Sequence, residues 1–124
     1  MIYLKAMTYS RELIIYLMKH LIRLFSTQVL SPSIKLNNGL PMPILGLGTV
    51  YALNPDEISG AILNNGYRHI DTAKVYDNEV VIGEALQEVM RNGIKREDLF
   101  IVTKIPPADT PNTKDEIRRA LDRL

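Results

Sequence analysis

Along residues 34–124 apolar positions recur in two ways, as short continuous runs and as stripes at helical spacing. Ile34-Lys35-Leu36, Asn37-Asn38-Gly39 and Leu40-Pro41-Met42-Pro43 predict a short β-hairpin, with Asn-Gly supplying the positive φ angles of a tight turn. The two prolines keep the return arm short. Ile44-Leu45-Gly46-Leu47-Gly48 predicts an apolar strand. Next, Asn54 suits an N-cap, Pro55 the first helical position, and Asp56-Glu57 the positive end of the helix dipole. Ile58, Ala61 and Ile62 fall on one helical face, and Gly66 ends the helix.

The alternation continues. Arg68-His69-Ile70-Asp71 predicts a strand, and Val81, Ile82, Ala85, Leu86, Val89 and Met90 a helix stopped by Asn92-Gly93. The continuous run Leu99-Phe100-Ile101-Val102 suits a strand buried on both faces. Pro106, Pro107 and Pro111 predict a non-helical loop. Thr113 with Glu116 predicts a capping box that opens a helix buried through Ile117, Ala120, Leu121 and Leu124. The order β-α-β-α-β-α implies an α/β fold whose parallel strands are joined by right-handed crossovers.

Residues 1–33 differ in character. They hold Lys5, Arg11, Lys19 and Arg23 against Glu12, a net +3, while the rest of the chain, with 11 cations and 13 acids, carries −2. The apolar stretch Leu13 to Phe25 is 13 residues long and is broken by Lys19 and His20. A bilayer span needs about 20 apolar residues, so no membrane span is expected. Basic, nearly acid-free and amphipathic, the segment matches a mitochondrial transit peptide in composition. A tail without an address fits the same composition, so the expected location is cytoplasmic, or mitochondrial if residues 1–33 are a transit peptide.

The chain has 124 residues, 46% hydrophobic and 23% charged, which excludes a disordered or fibrous protein. A net charge of +1 provides no global basic field, so nucleic acid is not an expected partner. The absence of cysteine removes disulfides, thiol catalysis and thiolate metal sites, and two distant histidines, His20 and His69, make no metal site.

Candidate chemistry gathers where strands end. Asp71 closes the second parallel strand and Lys104 the third, and ligands of α/β proteins bind at the carboxyl ends of strands. Neighbouring strands lie about 4.8 Å apart, so the two charges can pair. Tyr76, on the loop after Asp71, can fold over them. A lysine ammonium beside a tyrosine favours the phenolate, which suits the phenol to general acid work, while the aspartate holds the lysine charged. Each residue has a structural alternative: Asp71 as a loop cap, Lys104 as a solvated strand end, Tyr76 as a half-buried aromatic.

Gly66-Tyr67-Arg68-His69-Ile70-Asp71-Thr72-Ala73, Tyr76, Asn78-Glu79 and Gly83 together resemble the first signature of the aldo-keto reductases. Gly46-Leu47-Gly48-Thr49 and Ile101-Val102-Thr103-Lys104 are similar to that family at matching spacings, and the resemblance covers residues 34–124. It implies a (β/α)₈ barrel that uses NADPH to reduce small-molecule aldehydes and ketones. On that resemblance, Tyr76 protonates the carbonyl oxygen, Lys104 assists the tyrosine, Asp71 pairs with the lysine, and Thr49 approaches the nicotinamide. Where the family carries a large aromatic lining the substrate pocket, this chain has Val50 and Tyr51. The family's fourth catalytic residue, a histidine on the fourth strand, falls beyond Leu124, which lies 20 residues after Lys104. His69 shares strand parity with Asp71 but sits about 6.6 Å deeper, as an interior hydrogen-bonded group.

A complete barrel needs roughly 250 residues. The expectation is therefore a basic amphipathic extension over 1–33, with a helix, and an aldo-keto reductase segment over 34–124: a partial (β/α)₈ barrel of a β-hairpin and the first three βα units. Its open strand edges favour self-association. Two functions follow: an NADPH-dependent oxidoreductase, or an inactive truncated isoform or incomplete gene product that acts by association.

Overall fold

A computed structural model of the chain describes residues 10–13, 15–17 and 31–124. Residues 11–13 and 15–17 are helical; the remainder of the expected N-terminal extension lies outside the described residues. Among the described residues, no helix is long and apolar enough to cross a membrane.

The hairpin pairs β1 (Ser33–Lys35) antiparallel to β2 (Pro41–Pro43), with Ile34 opposite Met42. Its turn is wider than the Asn-Gly pair predicts. Gly39 has φ +88°, but Asn38 does not share the left-handed conformation. The Gly39 N–H donates to the Leu36 carbonyl and the Leu36 N–H to the Leu40 carbonyl, each at 2.9 Å. Three residues thus close the loop, where one glycine at the last position suffices.

A separate sheet holds β3 (Leu47–Gly48), β4 (His69–Asp71) and β5 (Phe100–Val102), in that order and all parallel. Leu47 is level with Ile70 and Ile101, and Gly48 with Asp71 and Val102. The strand β3 is shorter than predicted, because the Ile44 and Leu45 N–H groups bond to the Pro32 carbonyl and the Ser31 hydroxyl, not to β4.

The helix α1 (Pro55–Asn65) follows β3, and its boundaries match the sequence reading. The Asn54 side chain accepts from the Asp56 N–H at 2.9 Å, and Gly66 ends the helix at φ 78°. The helix α2 (Glu79–Arg91) follows β4 through a 3₁₀ turn at Lys74–Tyr76, and α3 (Thr113–Arg123) follows β5. Ile58, Ile62, Ile70, Ile82, Ala85, Leu86, Val89 and Leu99 make one core between the sheet and α1 and α2.

Four expectations around β5 and α3 need correction. The residues of β5 are half-buried: Phe100 and Val102 lie on the barrel side, where no wall faces them among the described residues, and Ile101 borders the groove beside α3. The proline loop is a 3₁₀ helix over Pro107–Asn112, since Pro107 occupies its first position, where no N–H is required. The capping box is absent: the Thr113 hydroxyl donates to the Thr110 carbonyl, and Glu116 is committed to Lys74 and Arg119. Of the predicted apolar face of α3, Ala120 is buried, whereas Ile117 is 47% and Leu121 70% exposed. That face borders a groove of 470 Å³ shared with Ile101, Ile105 and Leu124.

Candidate active site

Side chains alternate across a strand, so register decides which residues meet. Ile70 points into the core between sheet and helices, which places Asp71 on the opposite, barrel-facing side. Val102, level with Asp71, shares that side, and so does Lys104 two residues on. The Lys104 Nζ lies 2.6 Å from Asp71 Oδ1 and donates to the Thr72 carbonyl at 2.9 Å. Both charged side chains stay open to solvent, Lys104 49% and Asp71 40% exposed.

Tyr76 ends the 3₁₀ turn that carries the chain from β4 to α2. Asp77 behind it adopts the left-handed conformation at φ 53°, turning the chain into α2. The half-buried Tyr76 ring lies 5.5 Å from the Lys104 ammonium, centroid to Nζ, within cation–π range. Asp71, Tyr76 and Lys104 are thus together at the carboxyl ends of two adjacent strands.

Thr49 lies one residue past β3, buried at 1% exposure. Its N–H and its hydroxyl both bond to the Asp71 carbonyl at 3.1 Å. Val50 and Tyr51 lie apart from the charged group. Tyr51 is 88% exposed, and both residues border a shallow groove with Leu47, Ala52 and Ile58 that does not reach Tyr76 or Lys104. His69 lies at the amino end of β4, its Nδ1 2.9 Å from the Pro43 carbonyl and its ring edge-on to Phe100. Facing a carbonyl, Nδ1 must carry the proton. Among the described residues no group of three or more histidines and acids could hold a metal ion.

Asn78, Glu79 and Lys74 carry no role that their sequence positions alone would give. Asn78, fully buried, donates to the Thr49 carbonyl at 2.5 Å and the Ala52 carbonyl at 3.1 Å, and accepts from the Thr72 hydroxyl at 2.9 Å. The buried Glu79 accepts from the Thr103 hydroxyl at 2.6 Å and pairs with Arg123, 2.6 Å from its Nη2. Lys74 meets Asp109 and Glu116, each at 2.7 Å. Asp109 and then Glu116 raise the Lys74 ammonium above its ordinary range, against the opposing effect of burial. Lys74 in turn holds the Glu116 carboxyl below its ordinary range; burial opposes this and Arg119 adds to it. One signal of this scaffold was legible in the sequence: each of the three strand runs is followed by a threonine, Thr49, Thr72 or Thr103.

Comparison with known proteins identifies the family. The family model described as "Aldo/keto reductase family" matches residues 55–124. "Aldose reductase C" of Dictyostelium discoideum is 53% identical over 75 residues, covering 57% of this chain and 23% of that protein. The "NADP-dependent D-sorbitol-6-phosphate dehydrogenase" of Malus domestica is 41% identical over 96 residues, 74% of this chain and 31% of its own length. Among solved structures, an aldo-keto reductase of the silkworm Bombyx mori superposes with a TM-score of 0.69 at 39% identity, over 76% of this chain and 33% of that one. A second Bombyx mori aldo-keto reductase, in complex with NADP, gives 0.67 at 34%, over 77% and 35%. The chain spans about a quarter to a third of the length of these relatives. Its three βα units form part of a (β/α)₈ barrel, and the chain belongs to the aldo/keto reductase family.

Proposed function

We propose that residues 34–124 carry the proton-transfer half of an NADPH-dependent reduction of small-molecule aldehydes or ketones to alcohols, with residues 1–33 as a separate extension. The observation that carries this reading is the contact of Lys104 with Asp71 at 2.6 Å, with the Tyr76 ring against the same ammonium. A phenol, a cation and a carboxylate at an open strand-end face suit the reacting end of a nicotinamide cofactor. When bound, that cofactor supplies the hydride.

Tyr76 donates its phenolic proton to the carbonyl oxygen as negative charge develops there. Lys104 stabilises the phenolate left behind, and Asp71 keeps the ammonium charged and aimed. Thr49 acts through Asp71, since its hydroxyl is already engaged by the Asp71 carbonyl. Val50 and Tyr51, exposed on the loop after β3, would meet the part of the substrate that lies away from the reacting carbonyl, since their groove does not reach Tyr76. The choice of NADPH is supported by the relatives, one named NADP-dependent and another solved with NADP. The test is NADPH oxidation by the full chain with a simple aromatic aldehyde. Carbonyl-dependent oxidation that is lost in Tyr76→Phe supports the reading, and no turnover by the wild-type chain contradicts it.

A second reading rests on the exposed apolar face of α3 beside the outer edge of β5. Such a surface suits a non-catalytic chain that acts by association. Turnover separates the two readings.

A further inference from the structure

We propose that Asn78 and Glu79 are positioning residues that set the geometry of the Asp71–Lys104 pair by gripping the threonine beside each charged residue. The inference rests on the reading of Asp71, Lys104 and Tyr76 as the catalytic group. Thr49, Thr72 and Thr103 each stand one residue past a parallel strand, and the strand register makes them a level row. The ladder continues through this row, with the Thr72 N–H bonding to the Val102 carbonyl at 2.8 Å and the Thr49 N–H to Asp71 at 3.1 Å. The three threonines therefore keep the parity of Leu47, Ile70 and Ile101 and face the helices.

Asn78 and Glu79 are consecutive residues where α2 begins. Asn78 takes the Thr72 hydroxyl and two carbonyls of the loop after β3, while Glu79 takes the Thr103 hydroxyl. Two adjacent side chains on one rigid element thus hold the ends of all three strands. Fixing Thr72 and Thr103 on the helix side sends their neighbours, Asp71 and Lys104, to the barrel side. Both acceptors of the Lys104 ammonium, Asp71 Oδ1 and the Thr72 carbonyl, belong to the end of β4. Their distance from Lys104 is therefore the separation of two strand ends, which Asn78 and Glu79 set. Arg123 of α3 neutralises Glu79, its Nε at 2.7 Å, so a buried carboxylate can serve here.

The test uses the full chain with ¹³C-labelled aspartate and neither cofactor nor turnover. The Asp71 carboxyl resonance senses the Lys104 ammonium, so its response to Lys104→Met reports their contact. We expect Thr103→Val to reduce that response at least twofold and Thr103→Ser to retain it. Glu79→Leu should reduce it equally. Glu79→Gln keeps an acceptor oxygen for Thr103 but loses the charge facing Arg123, so it should lower the melting temperature and retain the response. A full response in Thr103→Val overturns the proposal, as does a response that simply follows stability through Glu79→Gln and Glu79→Leu. Should Thr103→Val fail to fold, Thr72→Val carries the same two outcomes from the β4 side. An inactive chain that shows the expected pattern upholds the positioning role and removes the catalytic reading.

Discussion

Lys104 and Asp71, 33 residues apart in sequence, meet at 2.6 Å because the register of two parallel strands puts both on the barrel-facing side. Both ends of the pair are open to solvent, and exposed ion pairs contribute only about 0–1 kcal/mol to stability. The proposed role of the pair is chemical, not structural. Lys104→Met should lower carbonyl reduction by at least about 10²-fold, the scale of general acid–base assistance, while urea denaturation shifts little. A large loss of stability with unchanged turnover would reverse this assignment.

Gly83, on α2, faces the end of α3 at very short range. A Cβ built there would lie 2.0 Å from the Arg123 carbonyl oxygen, a backbone atom that cannot turn aside. Gly83→Ala should therefore push α3 outward and strain the Arg123–Glu79 pair. Overpacking of this kind costs about 1–3 kcal/mol, and the loss is read as a lower urea midpoint.

The Lys74–Glu116 contact makes stability pH-dependent in a known direction. Glu116 is held below its ordinary value of 4.5, so its contribution is complete above that pH and is lost as pH falls below it. Lys74 is held above 10.5, so its contribution is complete below that pH and is lost as pH rises further. Glu116→Gln should flatten the acid limb of the stability profile below about pH 4.5, as followed by thermal melts across the acid range.

Much of this architecture was legible in the sequence where local physics decides it. Asn54, Pro55 and Gly66 bound α1 through backbone groups within a few residues, and the periodic apolar positions of α2 specify its buried face. The pairing of Asp71 with Lys104 was legible because both close neighbouring parallel strands. Less legible were features set by distant partners. Glu116 reads locally as half of a capping box, but the free energy of its contact with Lys74, 42 residues away, prevails. The threonine row is visible as a repeated placement, yet its function depends on Asn78 and Glu79, whose side chains could equally have been a solvated helix start.

Leu121 and Ile117 are exposed beside the outer edge of β5, which pairs with β4 alone among the described residues. Self-association of this chain through the apolar groove between them is the expected outcome. Sedimentation should show a concentration-dependent rise in mass that Leu121→Asp suppresses. A wild-type chain that stays monomeric across the micromolar range would refute this.

The proposed function turns on whether Tyr76, held against Lys104, protonates a carbonyl oxygen as hydride reaches the carbon. The most direct measurement supplies NADPH deuterated at the transferable position together with an aromatic aldehyde, and examines the alcohol by NMR. The expected product carries one deuterium on the carbinol carbon, is formed by the wild-type chain and falls by about 10²–10⁴-fold in Tyr76→Phe. Deuterated alcohol formed equally by Tyr76→Phe, or none formed by the wild-type chain, would contradict the proposed function.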